Sequence, residues 1–192
     1  MRLIRRADLT GRPWKNGGGT TWDIAAAPDG AGFDDFLWRL SLAGVATDGP
    51  FSVFAGTDRT LTLLEGPGIS LDFAGGGSVV LRRGAAPLSF PGEAAVTGRV
   101  PDGPIVDFNV MTRRGLFMHQ VLMPPAGTQP PPDCLAILCR AGHAEYMAHQ
   151  MTPGDVLLRT DSTHFGPLPD GAAFLCVTVQ PVLPARDAAP GQ

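Results

Sequence analysis

Short segments in which apolar and polar residues alternate recur along the chain. In the segment 36–43, the residues at 36, 38, 40 and 42 are apolar and share one face of a strand, whereas Arg39 and Ser41 share the other. Further apolar segments predict strands at 3–9, 22–25, 51–54, 60–65, 69–73, 78–82, 87–90, 94–99, 106–111, 117–123, 134–139, 145–148, 154–158 and 173–179. A strand about every ten residues leaves no room for helical crossovers, so this spacing predicts an antiparallel all-β barrel or sandwich.

The glycine and proline content supports this fold class. The chain has 25 glycines and 19 prolines, and both residues are poor helix formers. We therefore expect no helix bundle and only one short helix, near residues 113–116. The two halves of the chain resemble each other weakly in their order of strands and glycine turns. This predicts two small barrels, residues 1–105 and 106–185, which share strands and pack as one unit, followed by a flexible tail at 186–192.

Composition excludes several classes of function. The net charge is −3 and only 17% of the 192 residues are charged, so there is no basic field for binding nucleic acid. The apolar runs are far shorter than the roughly 20 residues of a membrane span. No apolar segment follows the basic N-terminal residues, which predicts a cytoplasmic protein. Three cysteines within apolar stretches, at 134, 139 and 176, indicate buried, reduced thiols.

The common metal, nucleotide and hydrolase motifs are missing from the sequence. Its four histidines, at 119, 143, 149 and 164, have no H-x-H or H-x-x-x-H spacing, so we expect no metal site and no cofactor. The glycines at 17–19 match neither phosphate-binding glycine motif, and no G-x-S-x-G is present. These glycines instead predict a close approach of the backbone to a neighbouring strand or to a ligand.

Polar side chains inside apolar strands are the informative feature. Arg39 and Ser41 lie on one face of a strand, Asp107 and Asn109 share a face of another, and Arg59 begins a third. A buried arginine is costly unless it is paired, and the adjacent Asp58 is a candidate partner for Arg59. Two interpretations stay open: an Arg–Asp pair that braces the wall of the barrel, or an anion clamp inside it, since a guanidinium binds a carboxylate through two parallel hydrogen bonds.

Three stretches of the sequence resemble a known family. They are PWKNGGGTTWDIA (13–25), FLWRLSLAGVATDGPFSVFAGTDRTLTLLEGPGISL (36–71) and VDFNVMTRRG (106–115), and the chain resembles the HutD/Ves family from residue 2 to about residue 180. The resemblance implies a bicupin fold, with two β-barrels in one bacterial chain. It also implies a regulatory or ligand-binding role in histidine utilisation, with N-formyl-L-glutamate as the proposed ligand and no assigned enzymatic activity.

The resemblance to cupins also bears on metal binding. If Gly66 is the last glycine of the first cupin motif, Arg59 falls where a metallocupin has its glutamate, and Ser52 and Phe54 fall where it has two histidines. The fourth ligand position falls near Ala95. A guanidinium in place of a metal-binding carboxylate favours an anionic ligand. We therefore expect elemental analysis to find no stoichiometric transition metal in the purified protein.

Two hypotheses for the function follow. The first is a binding protein for a small anionic metabolite, in which arginines bind carboxylates, neutral side chains add hydrogen bonds and aromatic rings form the walls. The alternative is a metal-independent isomerase or hydrolase acting on a small carboxylated intermediate, with Asp107 or His119 as general acid/base. A homodimer is possible under either. The predicted ligand-binding residues are Trp14, Lys15, Asn16, Arg39, Ser41, Phe51, Ser52, Arg59, Asp107 and Asn109.

Overall fold

The computed structural model of the chain describes residues 1–15 and 17–183. The predicted tail at 186–192 lies outside these residues. The described residues form one short 3-10 helix, Arg6–Asp8, and seventeen strands: β1 (Arg2–Ile4), β2 (Gly11–Pro13), β3 (Gly19–Ala27), β4 (Trp38–Val45), β5 (Gly49–Pro50), β6 (Thr57–Glu65), β7 (Ile69–Phe73), β8 (Ser78–Leu81), β9 (Leu88–Pro91), β10 (Val96–Arg99), β11 (Ile105–Arg113), β12 (Phe117–Leu122), β13 (Cys134–Gly142), β14 (Ala144–Tyr146), β15 (His149–Met151), β16 (Val156–Leu158) and β17 (Ala172–Pro181).

The strands pair antiparallel in four sheets, which confirms the predicted all-β class. A six-stranded sheet has the order β2-β3-β4-β11-β6-β9, and a five-stranded sheet has the order β1-β16-β13-β17-β12. A four-stranded sheet, β5-β10-β7-β8, and the β14–β15 hairpin complete the set. Within the described residues, none of these sheets closes on itself into a barrel.

The six-stranded sheet lies in the middle and buries both of its faces. On one face, Leu40 and Phe108 pack with Leu138 and Leu175 of the five-stranded sheet in a continuous core. Each of these side chains is fully buried, and burying one such side chain contributes about 1.5–3 kcal/mol. The other face packs in part against the four-stranded sheet through a second apolar cluster that includes Leu61. A third cluster lies on the far face of the five-stranded sheet, beneath the β14–β15 hairpin.

The two halves of the chain are interleaved. The N-terminal strand β1 pairs with β16, so residues 2–4 complete the sheet formed by the C-terminal half. In the reverse direction, β11 lies between β4 and β6 at the centre of the N-terminal sheet. The predicted boundary between residues 105 and 106 falls at the start of β11, and as a domain boundary it stays a prediction.

Local details of the prediction need three corrections. Residues 51–54, predicted as a strand, follow the short strand β5 and have no regular secondary structure. Residues 113–116, predicted as a short helix, form the turn between β11 and β12, which the Leu116 N–H to Arg113 C=O hydrogen bond closes at 3.1 Å. The 3-10 turn Arg6–Asp8 lies where a strand was predicted. The three cysteines are buried and free, as predicted. No helix in the described part of the chain is long and apolar enough to cross a membrane.

Candidate functional site

A cavity of about 510 Å³ lies over the inner face of the six-stranded sheet, beside the apolar contact with the four-stranded sheet. Strands β3, β4, β6 and β11 form its floor, and residues 12–15, 33 and 50–54 form its walls. Every predicted ligand-binding residue within the described range lines it; Asn16 lies outside that range. The lining residues are Arg12, Pro13, Trp14, Lys15, Thr21, Phe33, Arg39, Ser41, Ala43, Pro50, Phe51, Ser52, Phe54, Arg59, Asp107, Asn109 and Met111.

Strand alternation explains which side chains reach the floor. In β4, Leu40 and Leu42 point to the core between the sheets, so Arg39 and Ser41 point to the cavity. Strand β11 pairs with β4 and β6 on its two sides, and Met111 lies opposite both Arg39 and Arg59. The pairing thereby brings together polar side chains that are up to 70 residues apart in sequence, between Arg39 and Asn109.

Arg59 is a buried cation, and no carboxylate of residues 1–15 or 17–183 contacts it directly. Its Nε and Nη2 donate hydrogen bonds to Asn109 Oδ1 at 2.8 and 2.6 Å, and its Nη1 has no acceptor among the described residues. Its guanidinium lies over the rings of Phe51 and Phe90, 4.9 and 5.4 Å from their centroids. Burial lowers the pKa of Arg59 to about 10, a shift that the charge of Asp107 opposes. Arg59 therefore still carries a positive charge at neutral pH.

The carboxylate of Asp107 lies near Arg59, with the neutral amide of Asn109 between them. Asn109 Nδ2 donates to Asp107 Oδ1, so the amide of Asn109 links the guanidinium to the carboxylate. Asp107 is fully buried, and its Oδ2 has no hydrogen-bond partner among the described residues. Burial raises the pKa of Asp107 to about 7, although the charge of Arg59 and the bond from Asn109 favour the ionised form.

Arg39 has the ion pair that one interpretation of the sequence required. Its Nη2 binds Asp23 Oδ1, and Arg12 binds the other oxygen of the same carboxylate. The exposed ring of Phe33 lies 4.8 Å from the Arg39 guanidinium. Burial, followed by the charge of Arg12, lowers the pKa of Arg39 to about 10. Because two arginines share one carboxylate, this side of the cavity carries a net positive charge.

The rim of the cavity is built on the loop before β3. Trp14 is half-buried, and its Nε1 donates to Thr21 Oγ1 at 2.7 Å. The glycines of this loop were predicted to allow a close approach, and Gly19 has one: a Cβ there would lie 2.3 Å from the Gly44 carbonyl oxygen and 2.9 Å from the Trp14 ring. Lys15 is exposed at the same rim.

Three expectations about neighbouring residues need correction. Asp58, suggested as a partner of Arg59, instead accepts a hydrogen bond from Arg114 at 2.8 Å. Ala95, placed at the fourth ligand position of the cupin motif, is exposed and does not line the cavity. His119 also lies outside it, because its ring is held between Thr60 and Thr112. It is therefore unsuited to act on a ligand in this cavity.

Sequence reasoning missed three residues that shape the site. Thr21 and Asp23 lie two residues apart in β3, so both face one side; the predicted strand began only at residue 22, but an alternation extended to Thr21 could have found Asp23. Arg12 and Phe33 belong to segments without a clear alternating pattern, and only the three-dimensional structure brings them to the cavity. In the described residues, no group of three or more His, Cys, Asp and Glu side chains is arranged to hold a metal ion.

Fold and site together define a cupin-like all-β protein with a cation-lined cavity. The family model for HutD matches residues 6–177, and the chain belongs to the HutD family. The solved structure of HutD from Pseudomonas fluorescens SBW25 is similar, with a TM-score of 0.80 and 27% sequence identity, covering 94% of this chain and 98% of that one.

Two relatives share moderate sequence identity with part of this chain. An uncharacterized 21.2 kDa protein in the hutC 3′ region of Pseudomonas putida is 41% identical over 111 residues, which are 58% of this chain and 57% of the relative. Protein Ves of Escherichia fergusonii is 41% identical over 101 residues, or 52% of this chain and 51% of the relative. The matches thus span little more than half the length of these relatives.

Proposed function

We propose that the chain binds a small carboxylate-bearing metabolite in the cation-lined cavity and acts as a regulatory binding protein. The observation that carries this proposal is the charge of the cavity. Its positive groups are Arg12, Lys15, Arg39 and Arg59. Its negative groups are Asp107 and Asp23, whose carboxylate two of the arginines share. With both carboxylates ionised, the excess of two positive charges matches a dicarboxylate.

The donors of Arg59 favour a carboxylate over other anions. Its Nη1 has no acceptor among the described residues, and Phe51 and Phe90 hold the guanidinium plane in place. A pre-positioned planar donor binds a carboxylate with little further loss of side-chain entropy. Ser41 and Ser52 add neutral hydroxyl groups to the cavity wall, and Trp14 adds an apolar surface.

Family membership suggests the ligand and the context. The hutC-region relative and the family resemblance favour a role in histidine utilisation, with N-formyl-L-glutamate, a dicarboxylate, as the candidate ligand. A bicupin organisation, a cytoplasmic location, metal-free binding and a homodimer belong to the same proposal.

Calorimetric titration tests the proposal. N-Formyl-L-glutamate should bind with a stoichiometry of one per chain, and its dimethyl ester, which keeps the amide but lacks both negative charges, should bind at least a hundredfold more weakly. Equal affinity for acid and ester, or no binding of the acid, would contradict the proposal.

A second candidate function is a metal-independent isomerase or hydrolase. It is favoured by Asp107, a buried carboxyl in the cavity whose pKa of about 7 suits a general acid/base at neutral pH. Incubation with N-formyl-L-glutamate or urocanate separates the two functions. Turnover that Asp107→Asn abolishes supports the enzyme, and saturable binding without turnover supports the binding protein.

A further inference from the structure

Asp107 is a buried carboxylate inside a cavity that is built to attract anions. Its Oδ1 accepts a hydrogen bond from Asn109, but its Oδ2 is buried without a partner in the part of the chain that the structure describes. Such an oxygen costs free energy when it carries charge, and an unsatisfied buried group in a native structure calls for an explanation.

The groups around Asp107 give it little electrostatic support. On β6, Arg59 is the cation whose field reaches it, through the neutral amide of Asn109. Directly opposite Asp107, β4 and β6 present apolar side chains, Ala43 and Leu63. Further away on β4, Arg39 is engaged with Asp23 of β3, which also binds Arg12. The segment 50–54 on the other wall has no ionisable side chain, and Lys15 lies exposed at the rim.

We propose that a carboxylate ligand enters this cavity together with one proton, which Asp107 holds in the complex. The inference rests on the proposed function, because it takes the ligand to be an anion bound near Arg59. That anion would offset the positive field that supports ionised Asp107 and would add a second negative charge nearby. Two carboxylates that share a site do not both stay ionised at neutral pH.

Protonation also resolves the unpartnered oxygen. The proton comes from solvent and bonds to Asp107 Oδ2, which thereby becomes a hydroxyl donor. A ligand carboxylate has the acceptor oxygens that this donor needs, whereas the ionised Oδ2 would repel them. Asp107 is thus a specificity-determining residue that favours oxygen acceptors at the floor of the cavity.

Because the pKa of Asp107 lies near neutral pH, proton uptake on ligand binding should be measurable at physiological pH. Burial raises the pKa of Asp107 in the free protein to about 7. Below that pH the group is already protonated, so affinity should not depend on pH. Above it, affinity should fall by up to tenfold per pH unit until the pH passes the higher pKa of the complex. No histidine lines the cavity within the described residues, so Asp107 is the lining group with a titration in this range.

Calorimetry in paired buffers measures the proton directly. N-Formyl-L-glutamate is titrated into wild type, Asp107→Asn and the control Asp72→Asn, at pH 6 in MES and in bis-Tris and at pH 8 in HEPES and in Tris. The two buffers of each pair differ in ionisation enthalpy. Asp72 on β7 is a partner of Arg99 and lies outside the cavity. Its replacement therefore shows whether losing a carboxylate anywhere in the protein changes proton uptake. Wild type and Asp72→Asn should take up close to one proton at pH 8 and nearly none at pH 6. Asp107→Asn should take up none, and its affinity should be the same at both pH values.

The outcomes separate the two proposals. Binding of N-formyl-L-glutamate without proton uptake at pH 8, or uptake that persists in Asp107→Asn, overturns the proton-coupled model and leaves the proposed function intact. Absence of binding at both pH values overturns the proposed function and this inference with it. If Asp107→Asn does not fold, a carbon-13 titration of the wild-type carboxyl groups replaces it: a buried resonance that titrates near pH 7 and shifts upward on binding supports the model, and its absence overturns it.

Discussion

The replacement of Arg59 by methionine is the most direct test of the anion site. Methionine keeps an unbranched stem that can pack between Phe51 and Phe90, but it removes the charge and every hydrogen-bond donor. In the free protein the change leaves Asn109 Oδ1 without its two N–H donors, at a cost of about 1–3 kcal/mol. Removing a buried cation that has no directly paired carboxylate offsets this cost, so we expect a change of at most about 2 kcal/mol in the free energy of unfolding.

The effect on the complex should be larger. A ligand carboxylate paired with Arg59 is shielded from bulk water, because only 6% of this arginine is exposed. Truncation of one partner of such a pair costs about 2–5 kcal/mol of binding. That loss corresponds to a decrease in affinity of roughly 30-fold to several thousand-fold. Arg59→Lys should recover only a small part, because a lysine keeps the charge but cannot reproduce the planar set of donors.

The assay is calorimetric titration of N-formyl-L-glutamate, with a thermal melt of each free protein. Arg99→Met is the matched control, since Arg99 is an exposed arginine that binds Asp72 at 2.6 Å on the four-stranded sheet, away from the cavity. It should bind like wild type. An affinity of Arg59→Met within threefold of wild type would refute the anion-site reasoning. Collapse of the free fold would assign Arg59 a structural role instead.

Three further predictions concern stability and the rim of the cavity. Gly19→Ala should displace the Trp14 ring, lower the melting temperature and weaken binding. In the control Gly75→Ala, the added Cβ meets nothing within 4 Å, so binding should stay unchanged. Thermal melts and calorimetric titrations of both variants check this. Folding raises the pKa of Asp107 above its unfolded value, so ionisation costs stability as the pH rises from about 4 to 7. The free energy of unfolding of Asp107→Asn should therefore rise relative to that of wild type between pH 4 and pH 7. Urea unfolding of both proteins at the two pH values measures this difference, and an equal difference at both would contradict the reasoning. Deletion of residues 186–192, which have no apolar periodicity, should leave the melting temperature and the affinity nearly unchanged; a fall of several degrees would contradict this.

Local patterns in the sequence were enough to predict which side chains share a face. The alternation of β4 placed Arg39 with Ser41, away from the apolar core, and the alternation of β11 placed Asp107 with Asn109. Side chains on a strand point to opposite faces in turn, so this property depends only on neighbouring residues. The frequent glycines and prolines likewise indicated short strands and turns without any knowledge of the fold.

Partners across the sheets could not be predicted in this way. Arg59 was expected to have Asp58 beside it, but the strand register places Asn109 within reach and turns Asp58 toward Arg114. The pairing of β1 with β16 and the insertion of β11 between β4 and β6 join segments that are distant in sequence.

The sequence by itself therefore determined the all-β class, the polar face of each strand and the set of candidate residues, because these follow from local backbone geometry and composition. Only the tertiary structure decided that Asn109 separates the Arg59 charge from Asp107, and that Asp23 is shared by Arg12 and Arg39. The register between distant strands is set by the packing of both faces of the central sheet, and a shift of one residue would turn each of these side chains to the opposite face.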